Sequence, residues 1–278
     1  MKILAPTILL AFTISAPFAW HAAAAQQLGP GESLIPAVGP PTPDGKFGHP
    51  YQDRGVGPLK FALSNWGGKT ATDSTHNFKS VEAYVTVPTN ISCNSTGDFF
   101  GPWVGLNGVQ KFNTTIQQVG VAISCATGVP TFQGFYEMYP ADAVYISTTT
   151  YPIAAGDVMI MWVTNTSGSY SLNLEDNGPN NTSTLWHFAV TKAGPSTAAS
   201  AEAVIESPAQ KYANFHSMTF YYLGGACSPA CQLFQLGTGQ PPIQSSDAGY
   251  GTTTEATASG IDYSMFTSPD FIMTYVQE

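Results

Sequence analysis

The sequence has few charges, and very few of them are basic. Only 10% of its 278 residues are charged, against roughly 25% in an average soluble domain. Nine Lys and Arg stand against eighteen Asp and Glu, which gives a net charge of -9. Because no basic run occurs, the composition excludes a nucleic-acid groove, which needs cations along the phosphate backbone. Few cations also means few paired carboxylates, so we expect the fold to tolerate acid.

Long apolar runs are absent except at the N-terminus. Lys2 precedes an apolar stretch over residues 3–20, and the small residues 22–25 follow it. This order predicts a signal peptide over residues 1–25, so we expect export: extracellular, or periplasmic if the source is a bacterium. The alternative is an uncleaved membrane anchor, which the prolines within the stretch and the missing charge beyond it disfavour. We expect no membrane association after the signal is removed.

Cysteine is scarce but even in number. The four are Cys93, Cys125, Cys227 and Cys231. In an exported chain an even set predicts disulfides, here two, for which three pairings can form. A small loop between Cys227 and Cys231 would leave Cys93 to pair with Cys125. No His stands at ligand spacing from a Cys, so we expect no metal and no cofactor.

Helical periodicity of three turns or more is also missing. Residues 26–60 are rich in Pro and Gly and predict an irregular extension, either a pro-segment or a permanent surface wrap. Residues 61–278 consist of short runs of β-branched and aromatic residues between turn residues, which predicts one all-β antiparallel domain. The clearest strands are 81–87, 157–164, 169–174 and 271–276. Residues 198–206 differ, because Ala and Glu there favour a helix.

Familiar hydrolase motifs are absent. The sequence has no Gly-x-Ser-x-Gly, no His-Glu-x-x-His, no glycine-rich phosphate loop and no Asp-Thr/Ser-Gly pair. The acids and amides on predicted strands remain as candidates. Alternation over residues 131–139 places four side chains on one face: Gln133, Phe135, Glu137 and Tyr139.

Two further predicted strands carry polar pairs. If residues 201–206 form a strand, Glu202 and Glu206 share a face roughly 13 Å apart, too far to act as a dyad with each other. On residues 115–124, Gln117 and Gln118 point to opposite faces. One amide therefore faces a core or a cleft and needs a partner there.

Five motifs in order carry a more specific signal. They are Ser64-Asn65-Trp66-Gly67-Gly68, Trp103-Val104-Gly105-Leu106-Asn107-Gly108, Ile116-Gln117-Gln118-Val119-Gly120, Tyr136-Glu137-Met138-Tyr139-Pro140 and Ala201-Glu202-Ala203-Val204-Ile205-Glu206. This ordered set resembles the glutamic peptidases of family G1, the eqolisins. The resemblance implies an antiparallel β-sandwich of two large sheets, of the concanavalin A-like or jelly-roll type. It also implies that residues 201–206 form a strand.

The resemblance further implies the site. The family's catalytic pair corresponds to Gln118 and Glu206. Substrate-binding positions correspond to Trp66, Trp103, Asn107, Glu137 and Tyr139. The implied activity is that of a secreted, pepstatin-insensitive acid endopeptidase that acts on proteins or peptides, as a monomer and after loss of a pro-segment.

The chemistry suits these residue types. A carboxylate such as Glu206 can take a proton from water, while the amide of Gln118 donates at any pH and can stabilise an oxyanion. The sequence departs from the family near the cleft: Asn107 stands where better-known members have Asp, Ala122 replaces an acid, and Met138 and Ala203 replace aromatic residues. These changes affect substrate preference and pH optimum.

Two alternatives stay open on the sequence. A β-sandwich without catalytic activity could use the same aromatic face to bind a glycan or a peptide. A glycosidase could use Glu137 and Glu206 as paired carboxylates, which would require about 5 to 10 Å between them.

Overall fold

The computed structural model describes residues 66–72, 78–108, 115–221, 234–236, 243–246, 248–250, 253–259 and 271–275. The predicted signal peptide, the 26–60 extension and the pair Cys227 and Cys231 lie outside the described residues. So does Val276, at the end of the last predicted strand.

Every regular element within these described ranges is a β-strand. The strands are β1 Trp66–Thr72, β2 Phe78–Thr86, β3 Phe99–Leu106, β4 Ile116–Ser124, β5 Thr131–Tyr139, β6 Val144–Tyr145, β7 Val158–Thr166, β8 Ser169–Asp176, β9 Trp186–Ala193, β10 Ser200–Lys211, β11 Ser217–Tyr221, β12 Phe234–Leu236, β13 Ile243–Ser246, β14 Ala248–Tyr250, β15 Thr253–Ser259 and β16 Phe271–Tyr275. Alternation of β-branched and aromatic residues therefore predicted the element type correctly. Within the same ranges, no helix is long and apolar enough to cross a bilayer.

The described strands form two antiparallel sheets. One has seven strands in the order β13-β1-β10-β3-β4-β5-β6. The other has nine, in the order β14-β15-β16-β11-β2-β7-β8-β9, with β12 also paired to β2. The predicted antiparallel sandwich of two large sheets is confirmed.

The main core lies between the two sheets. Alternate residues of the central strands point into it, such as Val104 and Leu106 on β3 and Val119 and Val121 on β4. Strands β3 and β4 are buried along their whole length on both faces. The outward face of the seven-stranded sheet is therefore also covered in this chain, and it carries a second aromatic cluster.

The helix favoured by propensity over residues 198–206 is wrong, and the strand implied by the family resemblance is confirmed. Strand β10 pairs with β1 on one edge and with β3 on the other. Ala201, Ala203 and Ile205 face the inter-sheet core. Two hydrogen-bonded neighbours and a buried face outweigh the intrinsic preference of Ala and Glu.

One of the predicted disulfides is confirmed. Cys93 and Cys125 are bonded, with their Cα atoms 5.6 Å apart and a sequence separation of 32. The bond joins the segment after β2 to the residue that follows β4, and the Cys125 N–H also donates to the Asp98 carbonyl. It therefore fixes one end of the strand that carries Gln118.

Candidate functional site

The candidate residues other than Asn107 share the outward face of the seven-stranded sheet. Asn107, predicted to bind substrate, faces the core between the two sheets instead. Its cross-strand register places Glu202 of β10 opposite Gly105 of β3, Gly105 opposite Gln118 of β4, and Gln118 opposite Glu137 of β5. Three polar side chains and one glycine thus stand in a single row across the sheet. All three polar side chains are fully buried.

A second row lies four residues further along β10. Trp66 of β1 is opposite Glu206, which is opposite Gly101 of β3. Between the two rows, Val204 faces Trp103. Because residues two apart on a strand share a face, Glu202 and Glu206 point to the same side, as the sequence predicted.

Trp103 links the aromatic cluster to Glu206. Its indole Nε1–H donates a hydrogen bond of 3.1 Å to Glu206 Oε2, and both side chains are buried. The Trp66 ring packs edge-on against the Trp103 ring, with centroids 4.9 Å apart and an interplanar angle of 88°. The two rings therefore fix the orientation of the Glu206 carboxylate.

Gln118 is held by the other predicted acid. Its Nε2 donates to Glu137 Oε2 at 2.7 Å, a distance typical of a charge-assisted bond. Gln118 Oε1 is buried and accepts no hydrogen bond from the described residues. An amide has two N–H donors, so the bond to Glu137 leaves one donor and the carbonyl oxygen for a ligand.

The charge of Glu137 also acts on a neighbouring tyrosine. Tyr145 lies on β6 opposite Phe135 of β5, and their ring centroids are 6.2 Å apart. Burial, reinforced by the Glu137 carboxylate, raises the pKa of Tyr145 well above its ordinary value. The Tyr145 hydroxyl therefore stays protonated beside the acid.

Two glycines make room on this face. A Cβ at Gly105 would lie 3.0 Å from the Trp103 ring and 3.1 Å from Gln118 Cβ. A Cβ at Gly120 would lie 2.5 Å from Trp103 Cβ and 2.9 Å from the Phe135 ring. The Trp103 indole can therefore lie against the sheet only because its neighbours lack side chains.

Glu202 stabilises the end of β3. Its Oε1 accepts the Gly108 N–H at 3.0 Å. A Cβ at Gly108 would come within 2.6 Å of the Trp66 ring and 3.1 Å of Glu202 Cδ. Glu202, Gly108 and Trp66 are thus packed together beside the row that contains Gln118.

Asn107 occupies a buried hydrogen-bond network at the end of β3. Its Nδ2 donates to Gln117 Oε1 at 2.8 Å and to the Tyr170 hydroxyl at 3.0 Å, and its Oδ1 accepts the Ala199 N–H at 3.0 Å. Its φ of 75° is a left-handed conformation that Asn tolerates better than most residues. The network joins Gln117, on the core face of β4, to Tyr170 of the second sheet.

The Tyr170 hydroxyl in this network is strongly perturbed. Burial raises its pKa to about 12, the hydrogen bond from Asn107 lowers it, and the charge of Glu202 raises it. The hydroxyl donates to the Pro195 carbonyl at 2.9 Å. It is therefore a neutral structural donor that holds the β9–β10 connection.

Gln118 and Glu206 lie on one face but not in one row. They are two strands and four residues apart, so their Cα atoms are about 16 Å apart in a flat sheet. The two side chains are therefore not in contact, and the Gln118 amide is directed toward Glu137 on β5, the side away from β10. Trp103, on the intervening strand β3, lies between the two positions.

Glu137 and Glu206 are further apart. They lie three strands apart, roughly 14 Å across the sheet, and four residues apart along it. Tyr139 is at the end of β5, half-buried at the edge of the aromatic cluster. Nothing in this arrangement favours the paired carboxylates of a glycosidase. Within the described residues, no cluster of three His, Cys, Asp or Glu could hold a metal ion.

Most of the described chain matches the model of one protein family. Residues 64–229 match the model of the Peptidase A4 family. The chain belongs to the Peptidase A4 family. This is the G1 glutamic peptidase, or eqolisin, family that the five sequence motifs indicated.

Solved structures agree with this assignment at the level of the fold. Scytalido-glutamic peptidase, solved with a transition state analog inhibitor, is 23% identical, with a TM-score of 0.56 over 76% of this chain and 98% of that one. SCP-B, an eqolisin solved with the tripeptide Ala-Ile-His, is 20% identical, with a TM-score of 0.52 over the same shares. No curated protein matches the chain.

Sequence patterns did not indicate several parts of this candidate site. Tyr145 was not noticed, because its strand has only two residues and carries no periodic signal. Gly105 and Gly120 stood inside the quoted motifs, and their spacing of two from Trp103 and Gln118 was the available signal. The contact between Trp103 and Glu206 could not be found by spacing, because the residues are 103 apart in sequence.

Proposed function

We propose that this Peptidase A4 family member is a secreted endopeptidase that hydrolyses peptide bonds in acid by direct attack of water. Glu206 is the general base and Gln118 stabilises the oxyanion. The observation that carries the proposal is the pair of buried hydrogen bonds, Trp103 to Glu206 and Gln118 to Glu137, on one face of the family's sheet.

Glu206 is suited to activate water. Its Oε2 is fixed by the Trp103 indole in a buried environment, so the carboxylate needs little reorganisation when it accepts a proton. The same carboxyl group, once protonated, is placed to return that proton to the leaving amine. No covalent intermediate and no metal are needed for this sequence of steps.

Gln118 is suited to bind the developing negative charge. Glu137 takes one of its amide hydrogens, and the other is available to the carbonyl oxygen of a substrate. An amide does not titrate, so the donor persists in acid, where a second carboxylate would become protonated. Glu137 is thus a positioning residue that sets the orientation of the Gln118 amide.

The two groups are too far apart for direct contact, since they lie two strands and four residues apart on one face. A substrate bound between them would contact both. The scissile bond would lie above Trp103, next to Trp66. The tripeptide bound to SCP-B supports a peptide as the ligand class.

Export and maturation are part of the same proposal. Residues 1–25 direct the chain out of the cytoplasm, and residues 26–60 are removed before the cleft acts on substrate. N-terminal sequencing of the secreted protein tests both statements. An N-terminus before residue 26 would contradict both, and one between residues 26 and 60 would contradict removal of the extension.

The central test compares hydrolysis of a protein substrate between pH 2 and 7 by the mature chain, Glu206→Gln and Gln118→Ala. We expect acid activity that pepstatin does not block, none in Glu206→Gln, and a loss of about 10²–10³-fold in kcat for Gln118→Ala. Glu175→Gln, on the second sheet, is the matched control and should keep full activity. Full activity in either site variant would refute the roles of Glu206 and Gln118, and inactivity of a folded, mature parent would favour a binding protein.

A further inference from the structure

A pair of buried aspartates lies away from the candidate site, at one end of the nine-stranded sheet. Asp157 immediately precedes β7 and is 6% exposed, and Asp176 ends β8 and is 1% exposed. Each strand has a hydrogen-bonded neighbour on both sides in that sheet. Two acids so deeply buried next to each other need an explanation, because burial of an unpaired charge is costly.

Each carboxyl group closes a turn of its own. Asp157 Oδ2 accepts the Ala154 N–H at 2.6 Å, and Asp176 Oδ1 accepts the Gly178 N–H at 2.6 Å. These bonds use one oxygen of each side chain. Each bond fixes the conformation of its own turn, one before β7 and one after β8.

The two aspartates lie at adjoining strand ends, because the Val158 N–H donates to the Gly178 carbonyl at 3.1 Å and the Asn177 N–H to the Val158 carbonyl at 3.0 Å. Asp157 acts on Asp176 there through its charge and through a side-chain hydrogen bond. Ionised carboxylates are acceptors only, so a bond between two of them requires a proton on one. Burial raises the pKa of Asp176 to about 6. Hydrogen bonds from the Gly178 N–H and from the Trp186 side chain lower this pKa. The charge of Asp157 and its hydrogen bond raise it.

Other charged groups nearby face elsewhere. Trp186 is opposite Asp176 on β9, and Met159 is opposite it on β7. Glu175 of β8 and His187 of β9 are opposite each other in the register, on the other face of the sheet. The Tyr151 ring lies beyond Trp186, with centroids 5.3 Å apart. Among the residues that the structure describes around Asp176, Asp157 is the charged group that acts on it.

The pair sits where the two sheets are connected. Residues 147–156 lead from β6, in the sheet that carries the candidate site, to β7 in the other sheet. The Val87 N–H donates to the Asp157 carbonyl and the Gly156 N–H to the Val87 carbonyl, each at 2.8 Å. The Val158 N–H donates to the Gly178 carbonyl at 3.1 Å. The crossover, the end of β2 and the β8–β9 loop therefore meet at this point.

We propose that a proton shared between Asp157 and Asp176 is an acid-dependent lock on the crossover between the two sheets. When the proton is present, the two carboxyl groups attract and hold the turns together. When it is lost, two ionised carboxylates face each other in a buried site and push the turns apart. The fold is then stabilised by acid and weakened toward neutral pH.

The direction of the effect follows from linkage. A pKa that is higher in the folded state means that the folded chain binds an extra proton between the ordinary pKa of Asp, about 4, and the raised one. The stabilisation is complete below about pH 4 and is lost as the pH rises through about 6. Over that interval, one proton changes the unfolding equilibrium constant by up to tenfold per pH unit.

The test measures unfolding of the purified protein by denaturant at pH values from 4 to 7, for the parent and for Asp176→Asn. An amide donates to Asp157 without needing a proton, so it imitates the locked state at every pH. We expect the unfolding constant of the parent to rise by about a hundredfold across the interval, relative to Asp176→Asn. Equal pH dependence in both proteins would overturn the proposal.

Two further variants separate the lock from general effects of charge. Glu175→Gln removes the adjacent acid on the opposite face and should keep the pH dependence of the parent. Asp157→Asn removes the other carboxylate and should abolish the pH dependence. This variant replaces Asp176→Asn in the test if Asp176→Asn does not fold. A pH dependence that disappears in Glu175→Gln, or that survives in Asp157→Asn, would contradict the lock. The readout is folding, so failure of the proposed peptidase activity leaves this result unaffected.

Discussion

The hydrogen bond from Trp103 to Glu206 gives the sharpest prediction about the site. Replacing Trp103 with Phe removes the Nε1–H that lies 3.1 Å from Glu206 Oε2 and keeps a ring against Trp66. A bond between a neutral donor and a charged group contributes about 1.5–3 kcal/mol. This bond favours the ionised carboxylate, so its loss should raise the pKa of Glu206.

The size of that shift follows from the bond energy. At 1.36 kcal/mol for each unit, removing the donor raises the pKa of the base by about 1 to 2 units. If Glu206 acts in its ionised form, the acid limb of kcat/KM moves toward higher pH by the same amount. At a pH below both limbs, kcat/KM of Trp103→Phe falls by about 10- to 100-fold.

The assay is the pH dependence of kcat/KM with a fluorogenic peptide between pH 2 and 7. Phe135→Leu is the matched control, because Phe135 is buried in the same aromatic cluster. We expect the control to lower thermal stability and to leave the acid limb in place. The reasoning is refuted if Trp103→Phe remains folded and its acid limb coincides with that of the parent.

Two other substitutions test the framework around the site. In Asn107→Asp, the introduced carboxylate cannot donate to Gln117 or Tyr170, so stability should fall by about 1–3 kcal/mol at pH 7 and by less at pH 4, where the group is protonated. Denaturant curves at the two pH values measure this, and an equal loss at both would contradict it. In the double change Cys93→Ala and Cys125→Ala, the 32-residue separation predicts a loss of about 3–4 kcal/mol. A change of under about 1 kcal/mol in urea unfolding would show that the bond does not constrain the unfolded chain as expected.

The fold was predictable because strand periodicity is a local property. Residues 131–139 form β5 with the bounds that alternation gave, and Phe135 and Glu137 share the expected face. Residues 198–206 show the limit of local reasoning. Ala and Glu favour a helix, and only pairing with β1 and β3 makes that segment a strand.

The ordered motifs supplied the candidate site residues, but the sequence did not reveal the contacts between them. Gln117 and Gln118 were expected on opposite faces, and the structure places Gln117 against Asn107 and Gln118 against Glu137. Residue spacing could not reveal these partners, because they belong to other strands. Both amides are therefore buried and hydrogen-bonded, Gln117 on one face of the sheet and Gln118 on the other.

Composition, alternation and motif order were enough to predict an all-β chain, poor in cations, whose acids and amides fit the Peptidase A4 pattern. Each of these properties involves only a few neighbouring residues. The contacts of Trp103 with Glu206, of Glu137 with Gln118 and of Asp157 with Asp176 became known from the folded chain alone. Such contacts depend on the register between strands distant in sequence, and register is set by how whole sheets pair and pack.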